Sequence, residues 1–149
     1  PVTVDEMIDI ARPSGLKGLD RLSFSHALNC RAMCMKYAKS IGKKYNELNL
    51  IVAHLGGGIS LNAHQKGRMI DVISDQEGTF SGQRGGKLGT RQVIDWCFEN
   101  QEKGSEALKK LHLTQGGLFS YLSTSDAREV EEKIKNGDKY AKLIYDSMI

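Results

Sequence analysis

The stretch Leu50-Ile51-Val52-Ala53-His54-Leu55-Gly56-Gly57-Gly58-Ile59-Ser60-Leu61 constrains the fold more than any other. An apolar strand runs directly into three glycines and a second strand starts at once, so the chain must double back as a hairpin. Three residues without Cβ at a strand end let the backbone reach positive φ and let a ligand approach the N–H groups closely. A concave run of amides suits an anion, phosphate most of all. A plain hairpin loop that needs permissive residues is the other reading, since glycine pairs also mark ordinary hairpins. Two better-known phosphate motifs are excluded. Gly86-Lys87 is followed by Leu88 rather than the Ser or Thr of a P-loop. The dinucleotide fingerprint needs a third glycine where Leu61 stands, and a helix where Ile59, Leu61 and Ala63 alternate with Ser60, Asn62 and His64 as in a strand. Any phosphate site here belongs to a β-hairpin rather than to a helix dipole.

Two further antiparallel strands are expected around this hairpin. Strands over 48–55, 59–65 and 68–73, the last two joined by the tight turn Gln65-Lys66-Gly67, make a three-stranded meander. Before it, Thr3 and Glu6 have capping-box spacing and predict a short helix containing Met7, Ile8 and Ile10, broken by Pro13. A second helix is predicted over 25–41, with Ala27, Cys30, Cys34, Tyr37, Ala38 and Ile41 as its apolar stripe and Gly42 as its stop. After the meander, residues 74–89 form a polar, glycine-rich loop without periodicity, a length that in compact domains is often functional. Helices follow over 91–98 (Val93, Ile94 and Cys97 inward), 105–111, 117–122 and 126–135, and a last one is capped by Asp138.

The 149 residues, 40% of them hydrophobic, suffice for one ordinary core. The net charge of +3 is small and basic residues are interspersed with acidic ones, so no nucleic-acid footprint is present. No apolar run approaches the ~18 residues of a membrane span. An odd count of three cysteines (Cys30, Cys34, Cys97) without framework spacing fits a reducing, cytoplasmic setting. Cys30 and Cys34, one helical turn apart, read as core thiols, and no metal site is expected within the chain. The sequence starts at Pro1 and stops at Ile149 inside the helical pattern Ala141, Ile144, Tyr145, Met148, which reads as an internal segment of a longer polypeptide.

His54-Leu55-Gly56-Gly57-Gly58-Ile59-Ser60, continuing through Ala63-His64-Gln65-Lys66-Gly67-Arg68-Met69-Ile70-Asp71-Val72, resembles the signature hairpin of the short-chain carboxylate kinases, which comprise the acetate, propionate and butyrate kinases. The triple glycine favours the butyrate branch, because the acetate branch usually has Asn where Gly57 stands. Phe24-Ser25-His26-Ala27-Leu28-Asn29, Glu77-Gly78-Thr79-Phe80-Ser81 and Gly116-Gly117-Leu118, with the run from Asp126 to Glu131, agree in colinear order over essentially the whole chain. The resemblance implies an α/β fold. It is a ribonuclease-H-like half-domain of the actin, sugar-kinase and acetate-kinase superfamily, with an antiparallel meander followed by helices and parallel strands completing the sheet outside this segment. Residues 1–47 would be a helical start segment carrying a catalytic histidine, and 48–149 an incomplete second ribonuclease-H-like domain.

The resemblance also implies a reaction. A carboxylate attacks the γ-phosphoryl of ATP to give an acyl phosphate and ADP, and the reverse reaction makes ATP. Its cofactors are ATP or ADP and Mg²⁺, with the metal ligands expected outside the segment. Its partners are a short-chain carboxylate or acyl phosphate, without nucleic acid or membrane, and a homo-oligomer is expected. A carboxylate is already ionised at pH 7, with a pKa near ~4, so no general base is needed. Positive charge and amide donors on the phosphoryl oxygens do the work. His26 aligns with the family histidine that contacts the transferring phosphoryl, with Ser25 inserted after Phe24. Arg84, in Ser81-Gly82-Gln83-Arg84-Gly85-Gly86, resembles the catalytic arginine, its glycine neighbours leaving the loop free to fold over a ligand. Butyrate-type members usually have Glu and Pro where Gln83 and Gly82 stand, and their preceding loop is about two residues longer. Gly89-Thr90-Arg91 imitates the acetate-type arginine motif, so Arg91 is the reserve. His54, Gly56, Gly57, Gly58 and Ser60 would cradle the β- and γ-phosphates. His64 is read as pointing outward from its strand, and His112 as carrying no specific signal.

Overall fold

The computed structural model describes residues 7–148 and the backbone of residues 2–3. Two compact units are present, each described by itself. One comprises the chain through Leu55 together with Ile59–Ser74; the other comprises Gly56–Gly58 and the chain from Asp75 onward.

In the first unit a two-residue strand β1 (Val2–Thr3) pairs antiparallel with β2 (Phe24–Ser25). Among the described residues the predicted first helix is a single 3-10 turn, Asp9–Ala11. Thr3 lies in β1, and its proposed capping partner Glu6 lies outside the described residues. Helix α1 (Ala27–Ser40) buries Cys30, Cys34 and Ala38, one face at helical spacing. Tyr37 and Ile41, expected on that stripe, are about half exposed. The helix stops where expected. Gly42 takes φ +69, and the Lys43 N–H donates to the Ala38 carbonyl in the pattern of a left-handed C-terminal cap.

The meander is β3 (Asn49–Leu55), β4 (Ile59–Gln65) and β5 (Arg68–Ile73), in the order β3-β4-β5 and antiparallel throughout. Val52, Asn62 and Val72 stand in one cross-strand row, and Ala53, Leu61 and Ile73 in the next. Lys66 (φ 47) and Gly67 (φ 83) both take positive φ, the demand of a two-residue turn whose twist matches the strands. A bulge opposite Ala63 and His64 leaves Ile70 without a cross-strand partner, and the Ile70 carbonyl accepts from the Ile8 N–H instead.

The two faces of this sheet reverse the expectation for His64. Met69 and Val72 from β5 are buried together with Asn62 (0% exposed) and His64 (2%) from β4. Met7 and Ala11 join Met69 and Val72 in one cluster, with Ala27 packed against it. Asn62 Nδ2 donates to Cys30 Sγ, which sets α1 against the same face. His64 therefore points inward, its Nδ1 2.5 Å from the Tyr45 hydroxyl. The opposite face carries Ile51 (82% exposed), Leu55 (73%), Leu61 and Ile73. Strand periodicity is correct in both readings; which of two alternating faces is covered depends on the partner layer, which periodicity does not specify.

In the second unit Gly56–Gly58 and the irregular segment 75–89 precede the helices α2 (Thr90–Glu99), α3 (Gly104–Thr114), α4 (Gly117–Leu122), α5 (Ala127–Lys135) and α6 (Lys139–Met148). Leu118, Leu122, Val130, Ala141 and Ile144 form its core, with Phe80, Ile134, Tyr145 and Met148 against it. Asp126 caps α5 by accepting from the Arg128 N–H at 2.9 Å. Hydrogen bonds from the Arg128 side chain and then its backbone hold the Asp126 carboxyl down to about 2. Gly137 (φ +92) ends α5, and Asp138 accepts from the Ala141 N–H at 2.9 Å to start α6. Ile94, predicted inward on α2, is half exposed, because no residue of α2 is fully buried.

Candidate active site

At Gly58 the turn needs glycine for close approach rather than for backbone freedom. None of Gly56, Gly57 and Gly58 takes positive φ, contrary to expectation. The Gly56 N–H donates to the Gly58 carbonyl at 3.0 Å and closes the turn. Among the described residues, the N–H groups of Gly57 and Gly58 donate to no protein acceptor. A Cβ on Gly58 would stand 3.1 Å from Asp75 Oδ2 and 3.4 Å from Arg84 Cγ. A Cβ on Gly57 would meet only Gln83 Oε1, at 3.5 Å. The turn is thus a surface of unclaimed amides that a side chain at position 58 would obstruct, a shape suited to phosphate oxygens.

Arg84 lies within the same unit and is fixed at both ends. Its carbonyl accepts from the Ser81 N–H at 3.0 Å, and its own N–H donates to Ser81 Oγ at 3.3 Å. Ser81 Oγ donates in turn to the Gly57 carbonyl at 2.7 Å, and the Gln83 N–H donates to that carbonyl at 3.2 Å. At the side-chain end Nε donates to Asp75 Oδ2 at 3.0 Å, and Nη1 donates to the Leu113 carbonyl. The side chains of Arg84 and Asp75 are 28% and 25% exposed, partly shielded yet open to a ligand.

The segment around Arg84 is not the free flap that its glycines suggested. The Gly85 N–H donates to the His112 carbonyl, the Gly116 N–H to the Gln83 carbonyl, and the Leu118 N–H to the Ser81 carbonyl. Gly86 takes φ +63, and His112 Nε2 lies 3.0 Å from its carbonyl, so His112 supports the loop after all. Gly117 takes φ +60, with space for a Cβ closed to 1.8 Å by the Ser81 carbonyl oxygen. These glycines permit backbone to pack on backbone, and the product is rigidity. Arg91 sits exposed on the first turn of α2.

In the first unit His26 occupies the N-cap position of α1, but its side chain makes no cap hydrogen bond. It is exposed, and its ring centroid lies 4.1 Å from that of His54 in an edge-on arrangement. His54, at the end of β3, pairs across the ladder with the buried Ser60. Burial, and then the proximity of His26, push the His54 imidazole below its ordinary value of 6.5. A second imidazole so close disfavours charge on His54. Sequence motifs identified each histidine separately; nothing in their 28-residue separation announced the contact. Asp75 and Ser81 were likewise missed, since a lone carboxylate and a lone serine in a loop carry no spacing signal.

Among the described residues, no group of three His, Cys, Asp or Glu side chains is placed to share a metal ion. Cys30 and Cys34 are buried, and desolvation pushes both thiols up, as befits core packing. No helix among the described residues is long and apolar enough to cross a membrane.

Comparison with known proteins adds a family. Residues 17–149 match the model of the acetokinase family. Acetate kinase from Porphyromonas gingivalis superposes with a TM-score of 0.82 at 25% identity, covering 95% of this chain and 38% of that one. A propionate kinase from Francisella tularensis gives 0.81 at 22% identity, with 95% and 38% covered. Acetate kinase from Entamoeba histolytica gives 0.79 at 19% identity, with 95% and 39% covered. The two lower identities speak for the fold alone. The chain spans less than two-fifths of the length of each of these structures.

Proposed function

Because the chain belongs to the acetokinase family, we propose that the complete polypeptide containing these residues is a carboxylate phosphotransferase of the butyrate-kinase type. It would move the γ-phosphoryl of ATP to a short-chain carboxylate, and return it from the acyl phosphate to ADP. The observation that carries this reading is the arginine fixed beside a turn of unclaimed amides: Arg84 with Gly57 and Gly58.

In this reading a carboxylate oxygen forms the new bond to phosphorus while the bond to the β,γ-bridging oxygen breaks and ADP departs with the electron pair. No proton moves, since the acceptor is already ionised at neutral pH. Negative charge spreads over the equatorial oxygens. The Arg84 guanidinium and the Gly57 and Gly58 N–H groups supply donors for it without reorganisation. The resemblance assigns His26 to the transferring phosphoryl and His54 to the phosphate cradle, and the two rings lie 4.1 Å apart. Ser60, which the resemblance also places in the phosphate cradle, stands opposite His54 on the neighbouring strand. Mg²⁺, when bound, would neutralise phosphate charge, and the resemblance implies that its ligands lie elsewhere in the polypeptide.

The butyrate assignment within the family rests on the triple glycine. Position 57 has room for a side chain, so glycine there is a choice of branch rather than a steric necessity, in contrast to Gly58. The test is to supply the complete polypeptide with ATP, Mg²⁺ and one carboxylate at a time, trapping acyl phosphate as the hydroxamate. The highest kcat/KM is expected with butyrate. A preference for acetate or propionate overturns the branch and keeps the reaction. Nucleotide binding without hydroxamate from any acid identifies a non-catalytic phosphate-binding protein instead.

A further inference from the structure

We propose that Asp75 is a positioning residue for Arg84, holding the back edge of its guanidinium so that the remaining edge is presented to the phosphoryl group. The proposal rests on the reading of Arg84 given above and extends it to a residue that no motif singles out. An arginine side chain has four rotatable bonds, and one aimed by nothing would sample many orientations. Here Nε donates to Asp75 Oδ2 at 3.0 Å and Nη1 to the Leu113 carbonyl, which fixes the plane of the fork. Among the described residues Nη2 has no acceptor.

Three observations separate this from an incidental surface ion pair. First, both side chains are about three-quarters shielded, so the pair is not a mobile solvated contact. Second, Asp75 is wedged against the glycine turn: the Cβ that position 58 lacks would lie 3.1 Å from Oδ2 and 3.3 Å from the Asp75 Cβ. Glycine at 58 leaves the room that the carboxylate occupies. Third, the Arg84 backbone is registered to the same turn through Ser81, whose hydroxyl donates to the Gly57 carbonyl. Backbone and side chain of Arg84 are thus both located relative to Gly57 and Gly58.

The electrostatics give the idea a distinctive sign. A bare carboxylate beside a phosphate cradle repels its ligand, and only the paired guanidinium makes it tolerable. Asp75 should therefore help when Arg84 is present and hinder when it is gone. Its effect should appear in kcat, where the guanidinium meets developing charge, more than in the KM for ATP.

The experiment is a double-mutant cycle in the complete polypeptide, with kcat, KM and melting temperature for each variant. Asp75→Asn is expected to lower kcat at least ~10-fold, the scale of a sub-ångström misplacement, with a smaller change in KM and little in melting. Asp75→Glu, which keeps the charge at a different reach, should fall between wild type and Asp75→Asn. In an Arg84→Ala background, Asp75→Asn should bring no further loss, or a modest gain. An equal loss in both backgrounds means that Asp75 acts on metal or substrate directly and overturns the proposal. So does full kcat in both Asp75→Asn and Asp75→Glu while Arg84→Ala is crippled, which leaves the reading of Arg84 intact. Full kcat in Arg84→Ala removes the arginine from the reaction and with it the role of Asp75.

Discussion

The contrast between Gly57 and Gly58 offers a perturbation whose size follows from distances. Neither residue has positive φ, so alanine at either position meets no backbone penalty. At 57 the new methyl finds Gln83 Oε1 at 3.5 Å, an ordinary contact. At 58 it finds Asp75 Oδ2 at 3.1 Å and Arg84 Cγ at 3.4 Å, so the ion pair must yield by a few tenths of an ångström. The 3.0 Å bond between Asp75 and Arg84 then stretches, or the guanidinium moves with the carboxylate. Since a misplacement of ~1 Å costs on the order of 100-fold, a shift of less than half that size predicts roughly a 10-fold fall in kcat for Gly58→Ala. The accompanying loss of stability, from overpacking relieved by one flexible side chain, is about 1 kcal/mol. Gly57→Ala should stay within ~2-fold on the same scale. The assay is hydroxamate formation by the complete polypeptide beside a thermal melt. Equal kcat for the two variants, or a larger loss at 57, refutes the reasoning that close approach of Asp75 and Arg84 is what requires glycine.

The lowered His54 fixes the sign of a pH effect. The unfolded chain takes up the proton near 6.5 and the folded one only at lower pH, so stability is complete above 6.5 and declines as pH falls through it. Urea midpoints between pH 7.5 and pH 5 should therefore fall less steeply in His54→Gln, and an unchanged slope contradicts the burial argument. Asp126 acts with the same sign in a more acidic range. Its native contribution is present above the ordinary 3.8 and lost as pH falls toward about 2, so Asp126→Asn should keep the cap and flatten the acid limb of the melt. Val130→Ala, in the second unit's core at 0% exposure, should cost about 2 kcal/mol in chemical denaturation, while Ile51→Thr on the open sheet face of the 149-residue chain should cost under about 0.5 kcal/mol. The 149-residue chain alone, assayed with ATP, Mg²⁺ and butyrate, should form no hydroxamate; turnover within ~10-fold of the complete polypeptide would misplace the active site in this account.

Local chemistry made much of the fold legible. The second and third strands keep their predicted bounds, and the first starts one residue later. Lys66-Gly67 forms the expected turn, and Gly42, Asp126, Gly137 and Asp138 begin or end helices as their side chains or φ values require. The failures share a cause, since each depends on what lies across a gap in sequence. His64 and Asn62 point into the interior because the helix bearing Cys30 covers their face, a fact alternation cannot contain. Ile94 and Ile41 lie on amphipathic stripes without a full covering layer. The glycines around Arg84 read as freedom but act as clearance, because the segment they lie in is bonded to the turns near His112 and Gly117. Likewise the candidate site was legible as motifs but not as contacts. His26 and His54 touch, and Arg84 leans on Asp75, across distances in sequence that no spacing rule connects.

The central claim is that Arg84, rather than Arg91, delivers positive charge to the transferring phosphoryl. The direct test is kcat for Arg84→Ala and Arg91→Ala in the complete polypeptide with saturating ATP and carboxylate. Arg84 is fixed beside the glycine turn, whereas Arg91 stands exposed at the start of a helix. The account predicts a loss of at least ~100-fold for Arg84→Ala, with the KM for ATP changed far less, and near-normal turnover for Arg91→Ala. A crippled Arg91→Ala beside a nearly unaffected Arg84→Ala would contradict it.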